Sequence, residues 1–490
     1  MYFNSYIFIF LFIPLVLSVY FLLNRHHKYR LSQAWVVGMS LWFYSYSSPG
    51  LFLLIMASMI GNYVCSALME RCRHRRLLGA AGVIYDLGLL FYFKYFDFFI
   101  TNVNGIFGAD WPLKHVILPM GISFYTFQQI SYIVDRAAGK APHYDVLDYA
   151  SFVTFFPQLV AGPIVRHDEL VPQFRDEQRK HFSWENFSKG FVLFTLGLAK
   201  KVLLADILAL PADYGFANIA SLDAPAALLV MLSYSFQLYL DFSAYSDMAL
   251  GLGQMMNIRL PVNFDSPYRS HSVKEFWNRW HITLGAFLTE YVYFPLGGSR
   301  KGKFRKALNT LVVFFLSGMW HGAAWTYILW GTSHGIIITL EDLLKKPLEK
   351  LEKSRIGSFV RWLGAFILIN LTMVIFRADS LGDIPLFFEK LFSFRASGAV
   401  KEIAMQTDNS FLFIPLQLAK RLLGEHFDVM YLLYFSALIA VGAVLCRCRE
   451  AWVYTGKGRF SKKALPVLAL LFFLSIVSLS KVVVFLYSNF

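Results

Sequence analysis

Long apolar segments separated by short polar or glycine-rich stretches dominate the hydrophobic pattern of the chain. A helix that spans a bilayer needs about 20 mostly apolar residues, and by that measure the pattern predicts roughly 11 crossings. The predicted crossings lie near 5–23, 35–48, 49–69, 78–98, 115–134, 147–165, 187–210, 224–242, 308–340 (one or two passes), 357–376, 429–447 and 464–486. Several segments are short or interrupted by glycine and proline, which predicts re-entrant segments. We therefore expect an all-α polytopic membrane protein.

Composition supports this class. The 490 residues are 57% hydrophobic and 16% charged, with a mean hydropathy of +0.49, whereas soluble domains are less apolar and more charged. No repeat, low-complexity tract or soluble domain stands out, so a single membrane domain over 1–490 is expected. The apolar segment 1–23 has no Lys or Arg before its core, which favours a retained first span over a signal peptide.

The net charge of +14 predicts topology rather than nucleic-acid binding. Basic residues collect in four short loops, at 25–30, 71–76, 345–355 and 447–463. Loops rich in Lys and Arg stay in the cytoplasm. We therefore expect both termini, and a charge-balanced loop at about 377–428, on the extracytoplasmic side of the membrane.

The four cysteines do not predict a disulfide framework. Cys72, Cys446 and Cys448 lie at or beside loops expected in the cytoplasm, where thiols stay reduced, and Cys65 lies just before the loop 71–76. Ordinary free thiols are expected, and palmitoylation of Cys446 and Cys448 is the alternative.

Polar residues interrupt the membrane pattern in the middle of the chain. An ionisable group at membrane depth costs about 2.5–3.5 kcal/mol on insertion scales, so each is a candidate functional residue. The segment 234–254 carries Gln237, Asp241 and Asp247. The two aspartates are six residues apart, too far to be close neighbours on one helical face. We expect a cap or a hydrogen-bonded kink there rather than a paired carboxylate site.

The next segment, 263–306, is too polar to cross. Trp277, Trp280 and Leu284 recur at helical spacing, which predicts an amphipathic interfacial helix with tryptophan anchors. His281 lies within this helix, as a structural histidine or beside a cavity. The basic cluster at 300–306 is either a lipid-phosphate-binding loop or a landing site for an anionic substrate such as coenzyme A.

A histidine also lies inside a membrane-like segment, in "SGMWHGAAW" (317–325). Small residues flank His321, and they let helices approach closely and leave room beside an imidazole. The alternatives are a packed, hydrogen-bonded histidine and a reactive imidazole at the bottom of a tunnel. No second ligand lies three or four residues away, and the next histidine is His334, so no metal site is predicted.

Six motifs then occur in a recognisable order. They are "LPMGISFYTFQQISYIVD" (118–135), "FFPQLVAGPIVR" (155–166), "LYLDFSAYSDMALGLG" (238–253), "LPVNFDSPYRSHSVKEFWNRWHITL" (260–284), "YVYFPLGGSR" (291–300) and "SGMWHGAAWTYILWGTSHG" (317–335). Together they resemble the membrane-bound O-acyltransferase (MBOAT) superfamily, in the branch of the bacterial alginate O-acetylation membrane protein. The resemblance covers about 115–340. Asn278 and Phe287 depart from it, since an arginine and a tryptophan are expected there.

The resemblance implies tilted helices around a funnel or tunnel and a membrane acyltransferase activity. It carries the two family histidines onto His281 and His321, with His321 as the catalytic one. An imidazole with a pKa near ~6.5 is a suitable general base for the attacking hydroxyl. The implied donor is acetyl-CoA from the cytoplasm, with no tightly bound cofactor. The candidates for binding its phosphates are Arg279, Arg300, Lys301 and Lys303.

The resemblance also implies a location and partners. We expect a multi-pass protein of the cytoplasmic (inner or plasma) membrane that supplies acetyl groups for an exported polysaccharide. The expected partner is a separate extracytoplasmic, SGNH-hydrolase-like acetyltransferase subunit. One alternative is D-alanyl transfer to teichoic acid from a carrier-protein thioester. An alternative of another class is a non-enzymatic transporter or polymer-export component.

The segment "FLYSNF" (485–490) follows the last predicted span. One interpretation is an aromatic anchor at the outer membrane boundary. The other follows from a resemblance to tails in bacterial surface-polymer acylation systems, in which a tyrosine is implicated as an acyl relay. Tyr487 is therefore a candidate acyl relay in the outer tail 487–490.

Overall fold

A computed structural model describes residues 1–46, 48–396, 398–405, 421, 427–447, 464–479 and 484–486. The described residues are 78% helical and contain no β-strand, only an isolated antiparallel bridge between Phe264 and Trp280. The predicted all-α class is confirmed. The described residues form two compact units, which are taken one at a time.

The first unit comprises the described residues of 1–195 and 245–262. Its helices are Phe8–Phe12 (π-helical), Ile13–Arg25, Tyr29–Ser45, Pro49–Arg71, Arg75–Leu90, Phe91–Tyr95 (π-helical), Phe96–Phe107, Ile122–Ala137, Val146–Thr154, Phe156–Leu159, His167–Arg175, Glu177–Lys180 (3₁₀) and most of Trp184–Lys200.

Two of the six motifs meet inside this unit. Asp135 ends the first motif, and Arg166 ends the second. The Asp135 carboxylate lies 3.4 Å from the Arg166 guanidinium and 3.3 Å from His167 Nε2. Gly121, at φ +75°, begins the helix of the first motif, and a Cβ there would lie 2.8 Å from the Leu159 carbonyl oxygen. Both motifs therefore serve the packing of the first unit.

The second unit comprises the described residues of 196–244 and 263–486. Its helices are Lys201–Ala205 (π-helical), Asp206–Ala217, Ile219–Ser221 (3₁₀), the first part of Ala224–Met255, Pro267–Arg269 (3₁₀), Val273–Arg279, Ile282–Leu288, Thr289–Tyr293 (π-helical), Gly302–His321, Trp325–Leu343, Lys345–Glu352, Arg355–Arg377, Asp383–Leu391, Ala399–Met405, Phe427–Arg447 and Leu465–Val477. It contains both candidate catalytic histidines.

Several helices have the length and apolarity that a membrane crossing requires. Among the described residues five qualify, and they are Phe8–Arg25, Pro49–Arg71, Arg75–Phe107, Ala224–Met255 and Arg355–Arg377. Shorter apolar helices cover Val429–Val444 and Leu465–Val477. The segment 308–340, for which one or two passes were expected, contains two helices separated at 322–324. The number of roughly 11 crossings stays a prediction.

Candidate active site

His281 and His321 come together inside the second unit. Their ring centroids lie 6.5 Å apart, and both residues are almost fully buried, with 1% and 2% of their surface exposed. The indole ring of Trp320 contacts both imidazoles, at centroid distances of 5.7 and 5.0 Å. The two histidines singled out from the sequence thus form one buried pair.

His321 owes its position to a helix end and to the small residues around it. It is the last residue of Gly302–His321, and the chain becomes extended at Gly322. A Cβ on Gly318 would lie 2.4 Å from the Tyr327 carbonyl oxygen, and one on Gly331 would lie 2.3 Å from the Phe314 carbonyl oxygen. The two helices therefore pack backbone against backbone, as small residues permit.

Aromatic side chains surround the His321 imidazole. Trp330 and Phe376 meet it at centroid distances of 5.1 and 5.4 Å, both roughly perpendicular to the imidazole plane. These rings and Trp320 leave the imidazole little freedom to rotate. The site is consequently rigid and apolar, and charge that develops during a reaction is poorly screened by water.

His281 occupies a break between two short helices. Its backbone is left-handed, with φ 47° and ψ 50°, and it is the N-cap of Ile282–Leu288. A single amphipathic helix through 277–284 was predicted, and that prediction is wrong, because Val273–Arg279 ends before Trp280. Trp280 is only 2% exposed and packs on Phe264 and Phe276. It is a core residue rather than a membrane anchor.

Asn263 determines which His281 nitrogen carries the proton. Its Oδ1 accepts from the backbone N–H of Thr283 at 3.3 Å, so this atom is an oxygen and not the amide nitrogen. The same Oδ1 lies 3.2 Å from His281 Nδ1. Nδ1 must therefore donate its hydrogen, and Nε2 of the neutral ring keeps its lone pair. His281 is held in a tautomer that accepts a proton at Nε2.

Burial keeps His281 neutral. The loss of hydration lowers the pKa of His281 to about 3, because the imidazolium has no water to solvate it. A neutral imidazole at physiological pH is the form that a general base needs. The His281 imidazole is thus in a form that can take a proton from a substrate.

A cavity of about 440 Å³ lies beside the pair in the same unit. Successive turns of Gly302–His321 line it from Lys306 to Ser317, which is about 16 Å along the helix axis. Ser317 lies one turn before His321, and neither histidine is among the lining residues. Trp277 forms part of the wall and contacts Trp330, which in turn contacts His321. Ring contacts through Trp277 and Trp330 therefore connect the cavity wall to the His321 imidazole.

Two lysines charge one part of the cavity wall. Lys274 and Lys306 both pair with Asp342, at 2.7 and 2.5 Å. The neighbouring Glu341 accepts the backbone N–H groups of Val273 and Lys274 and so caps Val273–Arg279. The lining residues carry two ammonium groups and one carboxylate, which favours an anion at this part of the wall.

The basic residues chosen from the sequence lie elsewhere. Arg279 pairs with Asp265 and Glu275. Arg300 and Lys301 are in the turn before Gly302–His321, Lys303 is in its first turn, and all three are exposed. Sequence reasoning did not select Lys274, although it lies three residues before Trp277, on the same side of a helix. Tyr487 lies outside the described residues.

Comparison with known proteins identifies the family of the chain. The model of the membrane-bound O-acyltransferase family, MBOAT, matches residues 3–376. A peptidoglycan O-acetyltransferase of Helicobacter pylori is 41% identical over 410 residues, covering 77% of each chain. A probable alginate O-acetylase, AlgI, of Pseudomonas aeruginosa is 39% identical over 405 residues, covering 80% of this chain and 75% of the relative. A teichoic acid D-alanyltransferase of Bacillus subtilis is 30% identical over 254 residues, covering 48% and 62%.

The family model covers most of the chain, including both histidines and the cavity beside them. The resemblance inferred from the six motifs is therefore confirmed, and with it the multi-pass membrane class. The protein belongs to the membrane-bound O-acyltransferase family.

Proposed function

We propose that the protein takes acetyl groups from acetyl-CoA and supplies them for O-acetylation of an exported cell-surface polysaccharide. The observation that carries this proposal is a pair of buried imidazoles next to a cavity with a basic wall. The names of the relatives support the class of reaction, since they are O-acetyltransferases of peptidoglycan or alginate.

In the proposed reaction, an acceptor hydroxyl oxygen attacks the thioester carbonyl carbon. His321 takes the hydroxyl proton, the carbon–sulfur bond breaks, and the coenzyme A thiolate then takes that proton from His321. The products are an ester and a free thiol. His281, fixed by Asn263, orients the thioester or the polar network, and its tautomer makes it the second candidate for the base.

The cavity is the proposed donor site. Its apolar wall suits the thioester arm, and Lys274 and Lys306 suit phosphate groups. The exposed basic residues Arg300, Lys301 and Lys303 are a second candidate phosphate site at the start of the same helix, and Arg279 is a weaker candidate because two carboxylates already engage it. Cytoplasmic entry of the donor requires this end of the helix to face the cytoplasm of the inner or plasma membrane.

Hand-over to the polymer is the last part of the proposal. Tyr487 accepts the acetyl group from the donor with help from His321, then passes it to an extracytoplasmic, SGNH-hydrolase-like acetyltransferase. A phenolate, with a pKa of about 10, leaves a tetrahedral intermediate more readily than an alkoxide does. A phenolic acetyl ester is therefore a suitable covalent intermediate.

D-Alanyl transfer from a carrier-protein thioester is a second candidate, favoured by the similarity to the Bacillus subtilis relative. The test uses the purified protein with its acceptor fraction and offers labelled acetyl-CoA or labelled aminoacyl carrier protein separately. Labelling from acetyl-CoA alone supports the proposal. Labelling only from the carrier contradicts it, and transport without any label transfer would indicate an export component.

A further inference from the structure

A buried lysine of the second unit joins two carboxylates from different helices. Lys201 is 1% exposed, and its Nζ lies 2.7 Å from both Asp206 Oδ1 and Asp241 Oδ1. A charged group at this depth is costly unless every polar atom finds a partner. The mechanism above uses none of these three side chains.

The carboxyl-terminal segment of the chain supplies the remaining partners. Lys201 Nζ donates to the Val484 carbonyl oxygen at 3.2 Å, and the backbone N–H of Leu486 donates to Asp241 Oδ2 at 2.8 Å. Between them, the ring of Phe485 lies 4.7 Å from Lys201 Nζ and is 2% exposed. The tripeptide Val484–Leu486 thus docks on the charge cluster through two backbone hydrogen bonds and one ring.

These contacts complete the hydrogen bonding of the cluster. An ammonium group has three hydrogens, and those of Lys201 are directed at Asp206, Asp241 and Val484. Asp241 uses one oxygen for Lys201 and the other for Leu486. Removing the segment would leave a buried charged donor and a buried carboxylate oxygen each short of a partner. The cluster is therefore built to hold this segment.

We propose that Lys201, Asp206 and Asp241 form a docking site for the carboxyl-terminal segment Val484–Leu486 and position the residues that follow it. Lys201 and Asp241 are positioning residues and take no part in the chemistry. Asp241 is followed by Phe242, whose ring lies 4.8 Å from that of His281. The segment thus binds a residue, Asp241, whose neighbour in the sequence contacts His281. The positioning role rests on the proposed function, in which Tyr487 follows Leu486 as the acyl relay.

The contacts predict which side chains of the segment matter. Both hydrogen bonds use backbone atoms, so they tolerate other apolar residues at Val484 and Leu486. The cation–π contact and the burial of Phe485 require an aromatic ring there. We expect Phe485→Ala to release the segment, and Val484→Ala to leave it docked.

The test of docking does not depend on acyl transfer. A photoreactive benzoylphenylalanine replaces the half-buried Leu486 in the full-length membrane protein, and mass spectrometry identifies the cross-linked peptides after irradiation. We expect cross-links to peptides that contain Lys201 or Asp241. The variant Lys201→Met combined with Asp206→Asn keeps the net charge of the cluster at minus one and should lower this cross-link at least about tenfold, the effect of losing one charged hydrogen bond.

Matched variants separate docking from general damage. Lys200→Met removes the neighbouring lysine, which donates to Ser243, and should leave the cross-link unchanged. The single variant Lys201→Arg keeps the positive charge of the cluster and should give the same cross-link as the wild type. An unchanged cross-link in the Lys201→Met, Asp206→Asn variant would overturn the docking site.

Polymer acetylation in cells is measured for the same variants. Loss of acetylation together with the cross-link, at normal protein abundance, supports the positioning role. Normal acetylation after loss of the cross-link would overturn that role. Failure of the proposed function is a separate result, since it would appear as absent acetyl transfer in the wild-type protein while its cross-link remains.

Discussion

The imidazoles of His281 and His321 lie 6.5 Å apart, centroid to centroid, and the indole of Trp320 touches both. Each histidine stands at a helix boundary, His281 before Ile282–Leu288 and His321 at the end of Gly302–His321. A helix boundary fixes the backbone of each residue, and the shared indole fixes their spacing. The pair is therefore a preorganised unit. A substitution at one histidine is expected to alter the packing of Trp320, which also contacts the other.

Substitutions at His281 should separate its backbone role from its imidazole. Asparagine tolerates the left-handed conformation, whereas alanine there is strained by about 1 kcal/mol or more. We expect His281→Asn to remain folded and to lose activity, and His281→Ala to lose both activity and stability. Steady-state kinetics with acetyl-CoA, together with thermal unfolding, checks this. A change confined to KM in His281→Asn would assign the residue to donor binding rather than to chemistry.

Acid should destabilise the protein through His281. Its pKa is about 3 in the folded protein and about 6.5 in an unfolded chain. Above pH 6.5 the His281 imidazole is neutral in both the folded and the unfolded state, so its titration does not lower the free energy of unfolding. As the pH falls from 6.5 toward 3, the His281 imidazole is protonated in the unfolded state but not in the folded state. The free energy of unfolding therefore falls by about 1.4 kcal/mol per pH unit. Thermal unfolding at several pH values should show a weaker acid dependence for His281→Asn than for the wild type, and no change for the exposed control His26→Asn.

The cavity lysines should matter for donor affinity. Lys274 and Lys306 line the cavity, whereas Lys303 is exposed nearby and does not. We expect Lys306→Gln to raise KM for acetyl-CoA about tenfold, the effect of losing one charge-assisted hydrogen bond, with little change in kcat. Lys303→Gln is the matched control. An equal rise in KM for Lys303→Gln would place the phosphates at the exposed basic residues instead.

The close packing of Gly318 against the next helix should leave no room for an added methyl group. A Cβ at Gly318 would lie 2.4 Å from a backbone oxygen, whereas Gly364, also inside a helix, has open space at that position. Gly318→Ala should lower stability by about 1–3 kcal/mol, and Gly364→Ala should raise it by about 0.5–1 kcal/mol. Thermal unfolding of the two variants measures the difference. Equal effects would contradict the backbone contact between the two helices.

The length of the apolar runs was sufficient to predict the helices near 49–69 and 357–376, which occur as Pro49–Arg71 and Arg355–Arg377. Helical spacing was the signal used around Trp280. It failed there, because spacing cannot reveal the left-handed residue at His281 that breaks the helix. The bridge between Phe264 and Trp280 and the hydrogen bonds of Asn263 hold that break. Such contacts join residues distant in the chain, and local spacing contains no signal for them.

The candidate site was predicted in part. Small residues around His321 and the motif order identified both histidines, and the structure brings them together. Lys274 was missed because its role depends on facing Lys306 across Asp342. Asp241 was expected to serve as a cap or kink, and its carboxylate instead binds Lys201 and the backbone of Leu486.

The central claim, that His321 is the base for acetyl transfer, is tested most directly by single-turnover transfer from labelled acetyl-CoA in His321→Ala and His321→Gln. Both variants are measured at wild-type abundance and with acetyl-CoA binding confirmed. We predict that the transfer rate falls about 10²–10⁴-fold, the contribution of a general base, while the donor dissociation constant stays unchanged. Wild-type transfer rates in these folded variants would contradict the claim and leave His281 as the base.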